Sequence, residues 1–144
     1  MATDRRADVV WEGSLMEGSG IVTSVGSGAL PQLPVTWTSR AESPEGRTSP
    51  EELIAAAHAA CFSMALAHEL AQAGNPPERL ETSATVTFVP GTGITKSALS
   101  VKGRVPVVDE QAFREAAEGA KEGCPVSNAL KGNVELSVEA SLES

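Results

Sequence analysis

One uninterrupted helix-compatible run, from Leu53 to Ala73, constrains the fold of this chain more than any other feature. The run contains neither Gly nor Pro. Ser49 can cap its start and Pro50 suits the first helical position, while Gly74 and the Pro-Pro pair that follows predict its end. Apolar residues occupy nearly every face between Leu53 and Ala67, and a helix that is apolar all round is normally buried. The sequence therefore predicts a long central helix.

The segments on either side of this helix read as strands and shorter helices. ADVVWEGSL, GIVTSVGSG and LPVTWTSR precede it; TSATVTFVPG and ITKSALSVKGRVP follow it, joined by a GTG turn, and NVELSVEASL closes the chain. VDEQAFREAAEGAKEG predicts an amphipathic helix, and CPVSNALKG begins another. Because the strands come in groups, the order β-β-β-α-β-β-α-α-β predicts an α+β fold with mainly antiparallel sheets. A length of 144 residues predicts a single domain over 1–144.

Charge and composition narrow the class of protein. A net charge of −8 argues against nucleic-acid binding, which depends on Lys and Arg. The uncharged stretch from Leu53 to Ala67 is shorter than the roughly 20 residues of a membrane span, and the N-terminus lacks the apolar segment of a signal peptide. We therefore expect a cytoplasmic protein without a membrane segment. The core must rely on small residues, which bury little area each, so we expect further burial against a partner subunit.

The two cysteines, Cys61 and Cys124, are the first candidates for chemistry. Cys61 lies in the apolar helix, where free cysteines are usually inert core residues. Cys124 lies in GCPVS at a predicted helix start, where unpaired N–H groups stabilise a thiolate. A buried cysteine and one at a helix start would suit a peroxidatic and resolving pair. The two are 63 positions apart, so only the fold can bring them together.

The two histidines allow weaker hypotheses. His58 precedes Cys61 by three residues and shares its helix face, so it could act as a base toward the thiol. The alternative is a core histidine whose ring is satisfied by a backbone carbonyl. We expect His68 to be exposed or half-exposed. His58 and the two cysteines offer only three zinc ligands at no familiar spacing, and we expect no metal and no cofactor.

Arg40, at the end of the third predicted strand, and Glu51, at the start of the helix, are candidate partners of a thiolate. If they meet, Glu51 would orient the guanidinium through two hydrogen bonds. Arg47, in the loop between them, is a competing cation. Glu51 precedes Cys61 by ten residues, about 15 Å along a straight helix. Either the first turn of the helix is offset, or the acid comes from a second subunit, which favours a dimer.

The cysteine-containing segments carry a family resemblance. PEELIAAAHAACFSMAL and the later GCPVSNAL resemble the OsmC/Ohr family of osmotically induced and organic-hydroperoxide-resistance proteins. VVWEGSLMEGSG, TWTSR and ITKSALSVKGRVP are similar to its OsmC branch, so the resemblance covers most of the chain. It implies an intertwined α+β homodimer with long central helices and two active sites at the interface.

The same resemblance implies a thiol-dependent peroxidase that reduces organic hydroperoxides, and often hydrogen peroxide, with an external dithiol as reductant. It makes Cys61 the peroxidatic thiolate and Cys124 the resolving cysteine. It makes Arg40 and Glu51 the ion pair that lowers the thiol pKa and positions the peroxide. The alternative is an OsmC-like module that binds a small ligand, or senses oxidation, without efficient turnover.

Overall fold

The structure, a computed structural model, describes residues 2–143 and contains two compact units, with the boundary between Leu53 and Ile54. The elements in chain order are β1 (Ala7–Glu12), β2 (Ser19–Val25), β3 (Leu33–Val35), α1 (Trp37–Ala41), α2 (Pro50–Gln72), β4 (Arg79–Val89), β5 (Gly93–Arg104), α3 (Glu110–Gly123), α4 (Pro125–Leu130) and β6 (Glu135–Leu142). This is the predicted α+β order with one additional short helix, α1. The prediction of a single domain over 1–144 stays a prediction.

The first unit contains an antiparallel sheet in the order β1-β2-β3. The sequence analysis extended the third strand through LPVTWTSR, but the strand ends at Val35 and α1 begins at Trp37. The reason is a capping box: the Thr36 hydroxyl accepts from the Ser39 N–H, and the Ser39 hydroxyl accepts from the Thr36 N–H. The prediction that Arg40 ends a strand is therefore wrong, because Arg40 lies in the last turn of α1.

The second unit contains a sheet in the order β4-β5-β6. Strands β4 and β5 form the predicted hairpin, whereas β5 and β6 are parallel. Parallel neighbours need a crossover connection, which α3 and α4 provide. The core of the second unit is formed by side chains from one face of α2, from β5, from the apolar face of α3 and from the start of α4. These are Phe62, Leu66, Leu70, Leu99, Val101, Phe113, Ala117, Ala120 and Cys124.

Helix α2 confirms the predicted long helix, and Ser49 caps it by accepting from the Glu52 N–H at 3.2 Å. The expectation of burial on every side is not met within the chain. Ala56, Ala57, Ala60 and Met64 are exposed on one face, and 73% of the Met64 surface is accessible. Among the described residues, α2 is the one helix whose length and composition would allow it to cross a membrane. Its opposite face packs into the core of a soluble fold.

Candidate active site

The two cysteines meet in the second unit. The sulfur of Cys61, in the middle of α2, lies 2.9 Å from the sulfur of Cys124. Both are free thiols; Cys61 is half-buried and Cys124 is fully buried. A disulfide bond is about 2.05 Å long, so the sulfurs are in contact without being bonded. The fold thus joins two residues that the sequence separates by 63 positions.

The position of Cys124 follows from the short turn between two helices. Its N–H donates to the Ala120 carbonyl at 2.9 Å and closes α3. Its own φ of −65° and ψ of 127° are extended, and Pro125 then occupies the first position of α4. The sequence prediction of a cysteine at a helix start is confirmed.

Burial and local hydrogen bonds shift the pKa values of the two thiols in opposite directions. Burial raises the pKa of Cys124, but hydrogen bonds from the Cys61 thiol, from the Ser127 N–H and hydroxyl, and from the Val126 N–H outweigh it, so the net pKa is lowered. Burial and the contact with Cys124 raise the pKa of Cys61, although the Val126 N–H opposes them. When the pair loses one proton, these contacts favour the thiolate at Cys124, with Cys61 as donor.

His58 is fully buried and takes part in a side-chain network that the sequence analysis missed. Its Nδ1 lies 2.6 Å from the Ser97 hydroxyl, and its Nε2 lies 2.8 Å from the Ser127 hydroxyl. Burial lowers the pKa of His58, which keeps the ring neutral near pH 7. The expected carbonyl partner is replaced by two serines. Of these two serines, Ser127 lies in the CPVS segment that the sequence analysis singled out, whereas no sequence signal points to Ser97 on β5.

Arg40 and Glu51 meet in the first unit, as the sequence analysis anticipated. The Arg40 Nε donates to both carboxylate oxygens of Glu51 at 3.1 Å, and Nη2 donates to Oε2 at 2.8 Å. The Glu51 side chain is 7% exposed and that of Arg40 is 32% exposed. Such forked contact holds the guanidinium in one plane. Arg47, the competing cation, is exposed.

The loop before α2 holds this ion pair in place. The Thr48 N–H donates to the Pro34 carbonyl at 2.9 Å, and the Ser39 hydroxyl donates to the Thr48 carbonyl at 2.9 Å. These contacts tie the loop to β3 and to α1, so the side chains of Arg40 and Glu51 approach each other from two short, anchored segments.

No cluster of three or more His, Cys, Asp or Glu side chains within residues 2–143 is arranged to hold a metal ion. Both ring nitrogens of His58, the histidine nearer to Cys61 in sequence, already contact hydroxyl groups. His68 is exposed on α2, as predicted.

A pair of unbonded thiols in contact, one of them buried beside hydrogen-bond donors, is the arrangement of a dithiol redox protein. The comparisons with known proteins then give the family. The chain belongs to the family of OsmC-like proteins, whose model matches residues 43–139. The resemblance noted from the sequence is thereby confirmed.

Two relatives define the similarity more closely. The chain is 43% identical to peroxiredoxin OsmC of Escherichia coli over 139 residues, which is 94% of this chain and 96% of that protein. It is 33% identical to the organic hydroperoxide resistance protein OhrB of Bacillus subtilis over 94 residues, covering 64% and 68% of the two chains. The crystal structure of that OhrB superimposes with a TM-score of 0.67 at 27% identity, covering 94% and 97%, and confirms the predicted OsmC-like fold.

Proposed function

We propose that this chain is a thiol-dependent peroxidase that reduces organic hydroperoxides, and also hydrogen peroxide, to alcohols and water. The contact between the Cys61 and Cys124 sulfurs at 2.9 Å carries the proposal. Relatives named peroxiredoxin and organic hydroperoxide resistance protein support it. Cys61 is the more accessible thiol, so it meets the peroxide first and Cys124 acts second.

The reaction has three steps. The Cys61 thiolate attacks the distal oxygen of ROOH, the O–O bond breaks, and the alkoxide takes a proton and leaves as the alcohol. Cys61 is then a sulfenic acid, which the Cys124 thiolate attacks. The S–S bond forms, the S–O bond breaks, and hydroxide leaves as water after protonation. An external dithiol reduces the disulfide by thiol exchange.

Arg40 and Glu51 serve the first step in this proposal. Burial and the Cys124 contact raise the pKa of Cys61, so its thiolate needs a cation at hand. The Arg40 guanidinium supplies positive charge for the thiolate and hydrogen bonds for the peroxide oxygens. Glu51, almost fully buried, fixes the guanidinium through the forked contact.

We further propose that two copies form a homodimer across the exposed apolar face of α2. Helix α2 is continuous from Pro50 to Gln72, so Glu51 and Cys61 of one helix lie about 15 Å apart along its axis. Where two such helices pack in opposite directions and cross near Ala56, which is midway between Glu51 and Cys61, Glu51 of one helix lies beside Cys61 of the other. The ion pair of one subunit thus serves the thiol of its partner.

The cell compartment and reductant follow from the chemistry. A disulfide that must be reduced to two thiols after each turnover belongs in the cytoplasm, where thiols are kept reduced. The net charge of −8 gives no basis for nucleic-acid binding. We propose a cytoplasmic protein whose partners are a second copy, a hydroperoxide and an external dithiol.

The test is to add one equivalent of cumene hydroperoxide to the reduced protein and analyse its peptides by mass spectrometry without reduction. The expected product is an intramolecular disulfide between Cys61 and Cys124, with rapid loss of both thiols. Cys61→Ser should consume no peroxide. Cys124→Ser should react once at the wild-type rate and stop as a sulfenic acid that dimedone traps.

A Cys61→Ser protein that still turns over cumene hydroperoxide with dithiothreitol would exclude the proposed mechanism. Slow oxidation of the wild-type protein, together with tight retention of an apolar ligand, would instead establish the small-ligand-binding or redox-sensing module.

A further inference from the structure

The buried network around His58 ends at Ser127, beside Cys124. Ser97, His58, Ser127 and Cys124 are each at most 1% exposed. Ser97 and Ser127 contact opposite nitrogens of the His58 ring. Ser127 follows Cys124 by three residues, and its hydroxyl is among the groups that lower the pKa of Cys124. Ser97, His58 and Ser127 thus form one chain of hydrogen bonds within the second unit, and the Ser127 end of this chain lies next to Cys124.

The number of hydrogens fixes the direction of this chain. A hydroxyl has one hydrogen to donate, and a neutral imidazole has one N–H and one acceptor nitrogen. If Ser127 donates to a Cys124 thiolate, the Nε2–H of His58 must donate to the Ser127 oxygen. The Nδ1 of His58 is then the acceptor, and Ser97 must donate to it. Every bond in the chain therefore points toward Cys124.

We propose that His58 is a positioning residue for the resolving step: it orients the Ser127 hydroxyl so that this group stabilises the Cys124 thiolate that attacks the sulfenic acid of Cys61. The proposal rests on the proposed peroxidase function and adds a role for His58, Ser127 and Ser97. Its chemistry is that of the second step above, in which one S–S bond forms, one S–O bond breaks and the departing oxygen leaves as water.

The charged groups nearest the network are Lys121, Glu122 and Lys131, which line a surface pocket together with Ser127. Lys96 on β5, Glu122 at the end of α3, Lys131 after α4, and Glu135 and Glu139 on β6 are exposed. Lys121, 16% exposed, pairs with Glu118 at 3.1 Å and with Glu122 at 3.7 Å. Within the second unit, Cys61 and His58 are the titratable groups in direct or one-bridge contact with Cys124.

The first experiment measures the Cys124 thiolate without any peroxide. In a Cys61→Ser background Cys124 is the only thiol, and its thiolate absorbance at 240 nm is followed against pH; the chain contains no Tyr to interfere. Adding Ser127→Ala should move the titration midpoint of Cys124 up by about one pH unit, because a donor to the charged form is lost. His58→Leu should produce a similar shift, since nothing then orients Ser127.

Two further variants separate orientation from packing. His58→Gln keeps an N–H donor and a carbonyl acceptor but does not titrate, so it should restore most of the wild-type midpoint. Ser63→Ala is the matched control. It removes a hydroxyl on α2 that donates to the Thr82 hydroxyl at 2.7 Å and bonds neither cysteine, so it should leave the midpoint unchanged. An unchanged midpoint in folded Ser127→Ala would overturn the proposal.

The second experiment follows the resolving step itself. In Ser127→Ala, with both cysteines present, Cys61 should react with cumene hydroperoxide at the wild-type rate, while disulfide formation slows about tenfold near pH 7 and recovers at higher pH. Sulfenic acid at Cys61 should then accumulate and be trapped by dimedone. Disulfide formation at the wild-type rate and pH dependence would refute the role of Ser127. If Cys61 fails to react in every variant, the peroxidase proposal fails, and the titration alone decides the role of His58.

Discussion

At the scale of single residues, the ion pair of Arg40 and Glu51 is the most specific arrangement in the first unit. Three hydrogen bonds join the two groups, and the carboxylate is buried. Arginine is suited to this contact because its planar fork stays charged and presents two parallel N–H groups. Lysine would keep the positive charge but lack the planar pair of N–H donors. Arg40→Lys therefore separates the contribution of charge from that of the fixed geometry.

We predict that Arg40→Lys slows the reaction of Cys61 with cumene hydroperoxide about 10- to 100-fold, because a flexible ammonium group holds the thiolate and peroxide less firmly. Glu51→Gln should act in the same direction, since it removes the anchoring charge. Stopped-flow measurement of thiol oxidation under single-turnover conditions provides the rate. Arg47→Lys changes an exposed cation in the loop between α1 and α2 and should not change this rate. A slow reaction in Arg47→Lys with a normal rate in Arg40→Lys would assign the role to Arg47.

At the scale of elements, the approach of α3 to β5 depends on one glycine. A Cβ at Gly103 would lie 2.5 Å and 2.7 Å from two ring carbons of Phe113, and 3.3 Å from the Leu80 side chain. Phe113 is fully buried and central to the core. Gly103 therefore lets the apolar face of α3 pack directly on the sheet, and α3 leads to the turn that presents Cys124.

We predict that Gly103→Ala lowers the free energy of unfolding by about 1–3 kcal/mol, because the ring must move within a filled core. Urea denaturation followed by circular dichroism measures the change. Gly119→Ala is the matched control: Gly119 is exposed within α3, and its added Cβ would have only a carboxylate oxygen of Glu69 at 3.8 Å. That variant should gain about 0.5–1 kcal/mol from helix propensity. A Gly103→Ala protein as stable as the wild type would contradict the packing argument.

At the scale of the whole molecule, the exposed apolar face of α2 requires an explanation. Ala56, Ala60 and Met64 recur every four residues and lie on one face of the helix. Small residues allow a second helix to approach closely. The proposed homodimer covers this face and accounts for a core built from few aromatic residues.

We predict that Met64→Glu converts the dimer into a monomer, because a carboxylate cannot be buried unpaired in an apolar interface. Light scattering after size-exclusion chromatography gives the mass. Peroxide reduction should fall with the loss of the dimer, since the ion pair of one subunit no longer lies beside the thiol of its partner. Met16→Glu makes the same change at an exposed methionine in the β1–β2 turn and should leave mass and activity unchanged. A monomeric wild-type protein with full activity would reject the shared site.

The sequence alone was sufficient for the α+β order, the bounds of α2, the helix start at Cys124, and the family, since these depend on local periodicity, caps and contiguous motifs. It misplaced Arg40 on a strand, because the capping box formed by Thr36 and Ser39 is a two-residue signal. Only the tertiary structure brought the Cys61 and Cys124 sulfurs to 2.9 Å and joined His58 to Ser97 and Ser127. The physical reason is that these contacts link residues 39 to 69 positions apart, and such contacts are set by how α2, β5 and α4 pack, which no local pattern encodes.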